Sequence, residues 1–465
     1  MATISSLGVG SNLDLSSLLD SLQEAEEAKL EPITAKQESY TAKLSAYGTL
    51  QSALTTFQTA ASKLNDSSLY EGVTSSTSGS AFTATADSTA AAGKYSVSVT
   101  QLAQAQSLAA SGVASSTTAL ASADSTITLT AGGADVSIDI ASADSSLEGI
   151  RDAINAAGAG VTATIVNNGD ATAPYQLVLS SDSTGTASAI TSISVSNTEL
   201  SAFQYPADST AGMTEKVSAQ NAELTVNGIS ITSQSNTVEG AIQGVTLSLT
   251  EITATAQSLT LAKDTDTAKS AISDFVSAYN TLIATVQSLR SVDTEDTDNS
   301  GVLVGDSTLS RIESQVKKAL TAQTDTSDSF SYLSQIGVSL QKDGTLAIDD
   351  TKLDAALSSD MANVGSLLAG DSTSTSTSDG VIGGLSTTLT QLLDDNGLLA
   401  NATSGIESTL EDLDKQEERM QSTIDATVAR YKAQFTQLDV LMSTLNSTSD
   451  YLTQQFEAMN NTSSS

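Results

Sequence analysis

The sequence predicts an α+β multidomain protein, with long α-helical coiled-coil legs from both termini, a helical domain, and two β-rich domains inserted between them. Three observations predict it. Apolar residues recur at helical spacing from Leu15 to Leu64 and again after Asp264, while between Tyr70 and Asp264 they alternate with small polar residues at a period of two. No Pro or Gly interrupts Ile406 to Ser465. The chain of 465 residues has room for about three domains.

Leu15, Leu18, Leu19 and Leu22 share one helical face, and after Pro32, a residue suited to a helix start, Tyr40, Leu44, Tyr47, Leu50, Leu54, Phe57 and Leu64 continue at the same spacing. Alternation then marks strands at Tyr95, Val97 and Val99, at Ile127 and Leu129, and at Val136, Ile138 and Ile140. A short helix carries Leu147, Ile150 and Ile154; Asp144, Ser145 or Ser146 caps its start and Gly158 closes its end. Two strands follow, at 161–166 and 175–179, around a turn at Asn167 to Asp170. Leu224 to Ile231 with Asn227-Gly228 at its centre is a hairpin signal, and Val245, Leu247, Leu249, Leu259 and Leu261 extend that sheet. Hydroxyl- and glycine-rich stretches near Thr74 to Ser80, Ser111 to Ala123 and Ser372 to Gly380 are expected to be surface linkers.

A further helix opens after Asp264 with Ile272, Phe275, Val276, Tyr279, Leu282, Ile283, Val286 and Leu289 on its stripe. Another runs through Leu309, Ile312, Val316 and Leu320. In the last helix, Leu410, Ile424, Tyr431, Leu438, Leu445 and Leu452 form a seam every seven residues, broken by Glu417. Ile406, Leu413 and Met420 accompany the seam on one side, and Val428, Phe435 and Met442 on the other, the drift of a straight 3.6-residue helix against a 3.5-residue repeat. From Ile406 to Phe456 such a helix is ~75 Å long, more than one globular domain covers. Beyond about Phe435 the short Leu-rich helix at Leu13 to Leu30 is the partner left, so the surplus apolar surface there is expected to meet other chains. These readings divide the chain into 1–40 with 435–465, 41–72 with 265–434, 73–113 with 218–264, and 114–217.

Composition removes most chemistry. With 19 Lys plus Arg against 54 Asp plus Glu, the net charge is -35, which disfavours nucleic acid and anionic membranes. No Cys, His or Trp is present, so disulfides, thiolate or imidazole metal sites and His-based triads are excluded. No stretch reaches ~18 consecutive apolar residues, so no membrane insertion is expected. The first Lys is Lys29, leaving no positive region for a cleavable signal. Gly8-Val9-Gly10 starts like a dinucleotide fingerprint, but Leu13 stands where its third Gly belongs. Asp296, Asp298 and Gly301 resemble half a calcium loop whose twelfth residue is Ser307 rather than Glu, and Asp349 or Asp350 reads as the cap of a helix near Thr351. No cofactor and no enzyme activity are expected.

Particular motifs carry a family resemblance. Ile4 to Asp14, Tyr47 to Leu54 and Tyr95 to Ala103 resemble the N-terminal region of the flagellar hook-associated protein 2, or filament cap, family. Ala222 to Ile231, Ser235 to Val238, Gly244 to Leu247, Ile336 to Val338 and Asp343 to Leu346 with Asp349 resemble its C-terminal region, and Leu147 to Gly185 is similar to a module shared with flagellins. Asn12 stands where relatives often have Gly. The resemblance implies a non-enzymatic part of the bacterial flagellum, extracellular at its tip and exported by the flagellar type III route without a cleaved signal peptide. It implies a ring homo-oligomer, a pentamer first of all, with flagellin, a hook-filament junction protein and a flagellar export chaperone as partners. Contacts with flagellin or neighbouring legs are then expected of Leu13, Leu15, Leu18, Leu19, Leu22, Phe435, Leu438, Leu441, Met442, Leu445, Leu452 and Phe456. Packing of the helical domain is expected of Tyr47, Leu54, Phe57, Phe275, Tyr279, Ile424 and Tyr431. The alternatives are a mucin- or host-binding adhesin at the tip, and a hook-filament junction protein.

Overall fold

The structure, a computed structural model, describes residues 13–206, 212–292, 300–324, 326–327, 329–370 and 379–462. The fingerprint-like glycines at 8 and 10, most of the calcium-like loop and most of the linker at 372–380 lie outside the described residues. The α+β multidomain class holds. The chain divides into two compact units, Met1–Leu69 with Thr267–Ser465, and Tyr70–Asp266.

The first unit begins with α1 (Leu15–Glu27), whose first turn is capped by the Asp14 carboxylate accepting from the Ser17 N–H. Next comes α2 (Glu31–Leu64), with Pro32 in its first turn, where a missing N–H costs no helical hydrogen bond. The second unit starts with β1 (Val73–Thr77), β2 (Phe82–Ala86) and β3 (Gly93–Gln101). The chain then builds β4 (Ser107–Ala109), β5 (Ser125–Ala131), β6 (Ala134–Ile140), α3 (Leu147–Ala157), β7 (Val161–Asn167), β8 (Tyr175–Ser181), β9 (Ile190–Val195) and β10 (Thr214–Val217). It returns through β11 (Ala222–Val226), β12 (Ile229–Ser233), β13 (Thr237–Ile242), β14 (Val245–Leu249) and β15 (Gln257–Lys263).

Two sheets, ordered β1-β15-β3-β11-β12 and β13-β14-β2, close over one core that includes Phe82, Val97, Leu224, Leu247 and Leu259. The intervening segment builds its own sheets, β10-β4-β8-β7 and β6-β5-β9, which with α3 enclose a separate core around Leu108, Leu129, Ile150, Leu177 and Phe203. That outer core draws on Leu108 and Ala110, ahead of residue 114. The Asn227-Gly228 turn joins β11 to β12 with φ of 48° and 82°, the double left-handed geometry of the tightest hairpin turn. Ser146 caps α3 by accepting from the Gly149 N–H, and Gly158 ends it at φ 59°.

One expectation is overturned here. The segment near Thr74 is not a linker, because β1 pairs in full register with β15 from Val73↔Lys263 to Thr77↔Leu259. Its inward positions are Val, Ser and Thr, and the Ser75 hydroxyl recovers its lost hydration by donating to the Ala84 carbonyl at 2.5 Å.

Back in the first unit stand α4 (Thr265–Arg290), α5 (Ser307–Leu320), a small hairpin of β16 (Val338–Leu340) and β17 (Leu346–Ile348), α6 (Asp350–Ala369), α7 (Val381–Leu393) and α8 (Leu398–Thr462). Asp349 caps α6 by accepting from the Lys352 N–H, as its spacing predicts. The sequence reading did not foresee α7. Its first turn holds Gly383 and Gly384, which weaken helix propensity, and burial of Val381, Ile382, Leu385, Leu389 and Leu392 overrides that weakness.

Candidate functional site

The helical unit is anchored where α2 meets α4. Phe57 lies 5.1 Å from Phe275 and 5.5 Å from Tyr279, ring centre to ring centre, in tilted stacks. Tyr279 donates its hydroxyl to the Gly344 carbonyl at 2.9 Å, and Asn280 exchanges two hydrogen bonds with the Leu346 backbone, which fastens the small hairpin to α4. Burial pushes the Tyr279 hydroxyl up to about 12, with Glu313 adding to it. Burial, helped by Asp306, does the same to Tyr47, also to about 12. Tyr47, Leu54, Phe57, Phe275, Tyr279 and Ile424 are all buried, and Tyr431 is half-buried.

From this anchor α8 runs for 65 residues, about 97 Å at 1.5 Å per residue. Gln37 of α2 ties it down by donating to both Asp414 and Glu417, at 2.7 and 2.8 Å. Farther along α2, Gln58 donates to Thr390 of the preceding helix, α7. Past α2, α8 also packs against α1.

Burial falls off along the helix. Leu413 and Ile424 are buried, Tyr431, Phe435, Asp439, Met442 and Ser443 are half-buried, and from Thr444 to Ala458 every residue is exposed. On the facing helix Leu15 and Leu19 are buried and Leu22 is half-buried, while Leu13 and Leu18 point outward. Of the expected leg contacts, Leu15, Leu19, Leu22, Phe435 and Met442 are thus covered, wholly or in part, within the chain. Leu438, Leu441, Leu445, Leu452 and Phe456 are open, Phe456 at 64% of its full exposure. Val440 and Tyr451 are exposed with them.

Among the described residues no group of three or more Asp or Glu is placed to hold a metal, and no helix is long and apolar enough to cross a membrane. The fold and this surface define a class: a multidomain protein whose working surface is a long amphipathic helical stripe only partly covered by its own chain.

Comparison with known proteins gives that class a family. The model of the flagellar hook-associated protein 2 N-terminus matches residues 11–106, that of its C-terminus residues 219–447, and the flagellin hook IN motif residues 126–183. Flagellar hook-associated protein 2 of Escherichia coli strain K12 is 48% identical, covering 99% of this chain and 100% of the relative. Its counterpart in Salmonella typhimurium is 41% identical over the same shares. The crystal structure of the D1-D2-D3 domains of the Escherichia coli flagellar cap protein superposes with a TM-score of 0.66 at 42% identity, covering 78% of this chain and 99% of that one. The chain belongs to the flagellar hook-associated protein 2 family.

Proposed function

We propose that this protein caps the distal end of a bacterial flagellar filament, outside the cell, where it retains exported flagellin and promotes its folding and insertion. The observation that carries the reading is the open end of α8: from Thr444 to Ala458 every residue is exposed, and Leu445, Tyr451, Leu452 and Phe456 have the stripe of a helix made for partners. Several copies form a ring, a pentamer first of all; the unit Tyr70–Asp266 is its plate, and the paired termini are legs. Leg residues 1–40 with 435–465 and helical residues 41–72 with 265–434 work as two parts, as do plate residues 73–113 with 218–264 and inserted residues 114–217. Flagellin and the neighbouring legs compete for the open stripe. The export chaperone covers the chain on its way through the flagellar type III route, and the hook-filament junction protein seats it before the first flagellin arrives. No step needs covalent chemistry.

The experiment is a deletion of this protein in a motile bacterium that carries it, rescued with the full chain and with a chain ending at Ser443. Flagellin lost to the medium, cured by the full chain and not by the short one, is the expected result. Normal filaments in the deletion strain refute capping, and rescue by the short chain refutes the role of the open stripe.

A further inference from the structure

The chain holds three Asn-Gly pairs, beginning at Asn168, Asn227 and Asn396. Such a pair carries its own nucleophile and electrophile, because a glycine nitrogen with no side chain to shield it follows directly on an amide carbonyl. When that nitrogen gives up its proton and bonds to the Asn Cγ, a cyclic imide forms, the Cγ–Nδ2 bond breaks and ammonia leaves with the proton. Water then opens the ring. Attack at Cγ leaves Asp, attack at the main-chain carbonyl leaves isoaspartate, and either product adds a negative charge. Closure needs a backbone free to rotate and a glycine N–H free of a strong acceptor, so the fold decides which pair reacts.

At Asn227 the main chain is fixed. Its N–H donates to the Ser96 carbonyl and its Oδ1 accepts from the Ser96 N–H, both at 2.8 Å, so the side chain carries the β3–β11 ladder one residue past Val226. Among the described residues Asn227 is the one non-glycine at positive φ, held there by the two-residue turn. Asn396 is fixed differently. The Gly397 N–H, the nitrogen that would attack, donates to the Asp394 carbonyl at 2.7 Å, and the Asn396 and Gly397 carbonyls both accept from Asn401 of α8. Gly397 is buried, with no room for a methyl group beside the Gln391 carbonyl.

Asn168 lies in the loop between β7 and β8, where every residue from Val166 to Thr172 is exposed. Its N–H reaches the Pro174 carbonyl at 2.8 Å. Past that point the loop is held by its own side chains. Asn167 Oδ1 accepts from the Gly169 N–H and Asn168 Oδ1 from the Asp170 N–H, each at 2.9 Å, and the Asp170 carboxylate accepts from Thr172 and Ala173. Exposed bonds to side chains exchange for water at little cost, whereas ladder bonds open only with the sheet.

We propose that Asn168 is a self-modifying site: the folded protein converts it through the imide to Asp and isoaspartate, while Asn227 and Asn396 are preserved. Isoaspartate lengthens the main chain by one CH2 and sets a new carboxylate two residues from Asp170, so the tip of the β7–β8 hairpin changes shape and charge as the molecule ages.

Full-length protein is held at mildly alkaline pH, folded or in urea, and the peptides carrying each pair are followed by mass spectrometry with fragmentation that separates isoaspartate from Asp. In the folded chain Asn168 should convert at least about tenfold faster than Asn227 or Asn396, and in urea the three rates should converge. Asn227 or Asn396 reacting as fast as Asn168 in the folded chain overturns the proposal, as does an Asn168 that survives folding and converts only in urea. A lead for Asn168 that persists in urea overturns the argument from the fold. Asn167→Ala removes the acceptor of the Gly169 N–H and should speed Asn168 about fivefold without touching the other two pairs; an unchanged rate shows that this bond is no brake and counts against the assignment.

Discussion

At the level of single residues the structure rests on aromatic contacts and caps more than on ion pairs. Phe57 touches both Phe275 and Tyr279, so Phe57→Ala removes the ring that joins α2 to α4 and should cost about 3 to 5 kcal/mol. Denaturant unfolding checks this, and a loss under about 1 kcal/mol would show that the helical unit repacks without it. Most of these residues could be read from the sequence, because Tyr47, Leu54, Phe57, Phe275 and Tyr279 sit at helical spacing and burial is what that spacing means. The hydrogen bonds of Tyr279 and Asn280 to the β16–β17 hairpin could not: they join positions 65 and 66 residues apart, and no local pattern announces such a partner.

At the scale of elements, α8 behaves as two pieces of one helix. As far as Ser443 one face of it is covered by other helices, α2 and α1 among them, and from Thr444 to Ala458 it is open. Ile424→Asp, which places a charge at a buried position, should therefore lower the stability of the helical unit by several kcal/mol. Leu452→Asp should leave the thermal midpoint of the isolated protein within about 1 °C and abolish rescue of filament assembly. Circular dichroism melts beside a motility assay separate these; a large loss of stability from Leu452→Asp would mean that the stripe is covered within the chain. The seven-residue seam was legible together with the shift of its companion row, and Val428, Phe435 and Met442 are among the half-buried positions beyond Ile424. The helix starts at Leu398, ahead of Ile406, because the reading stopped at the glycine in position 405, which the packed helix tolerates. In the β-rich unit, α3 and the β11–β12 hairpin were read directly from caps and turn residues, whereas α7 was lost to its glycines.

For the molecule as a whole, the titration behaviour follows from what the chain lacks and what it buries. With no His and no Cys, stability should be nearly flat from about pH 5 to 9. Hydroxyl and backbone N–H donors hold the Asp87, Asp170 and Asp343 carboxyls below their usual range, chiefly Thr89, Thr172 and Thr345 respectively. A depressed folded-state value stabilises above the unfolded one, about 4, and that contribution disappears as pH falls through the folded value. Tyr47 and Tyr279 act in the opposite sense: raised to about 12 from about 10, they stabilise fully below pH 10 and lose that contribution between pH 10 and 12. Thermal melts across pH should show this plateau with two shoulders, and a step near pH 6.5 would contradict it. The Gln37–Asp414 bond spans 377 residues of sequence, and that separation reaches beyond the folded state into folding kinetics. The first helices cannot find their partner until almost the entire chain is available, whichever end emerges first, so closing the leg carries a large contact order and comes late. A polypeptide that threads a narrow passage gains from this delay, because its longest helical pairing cannot form and jam before the last segment is through.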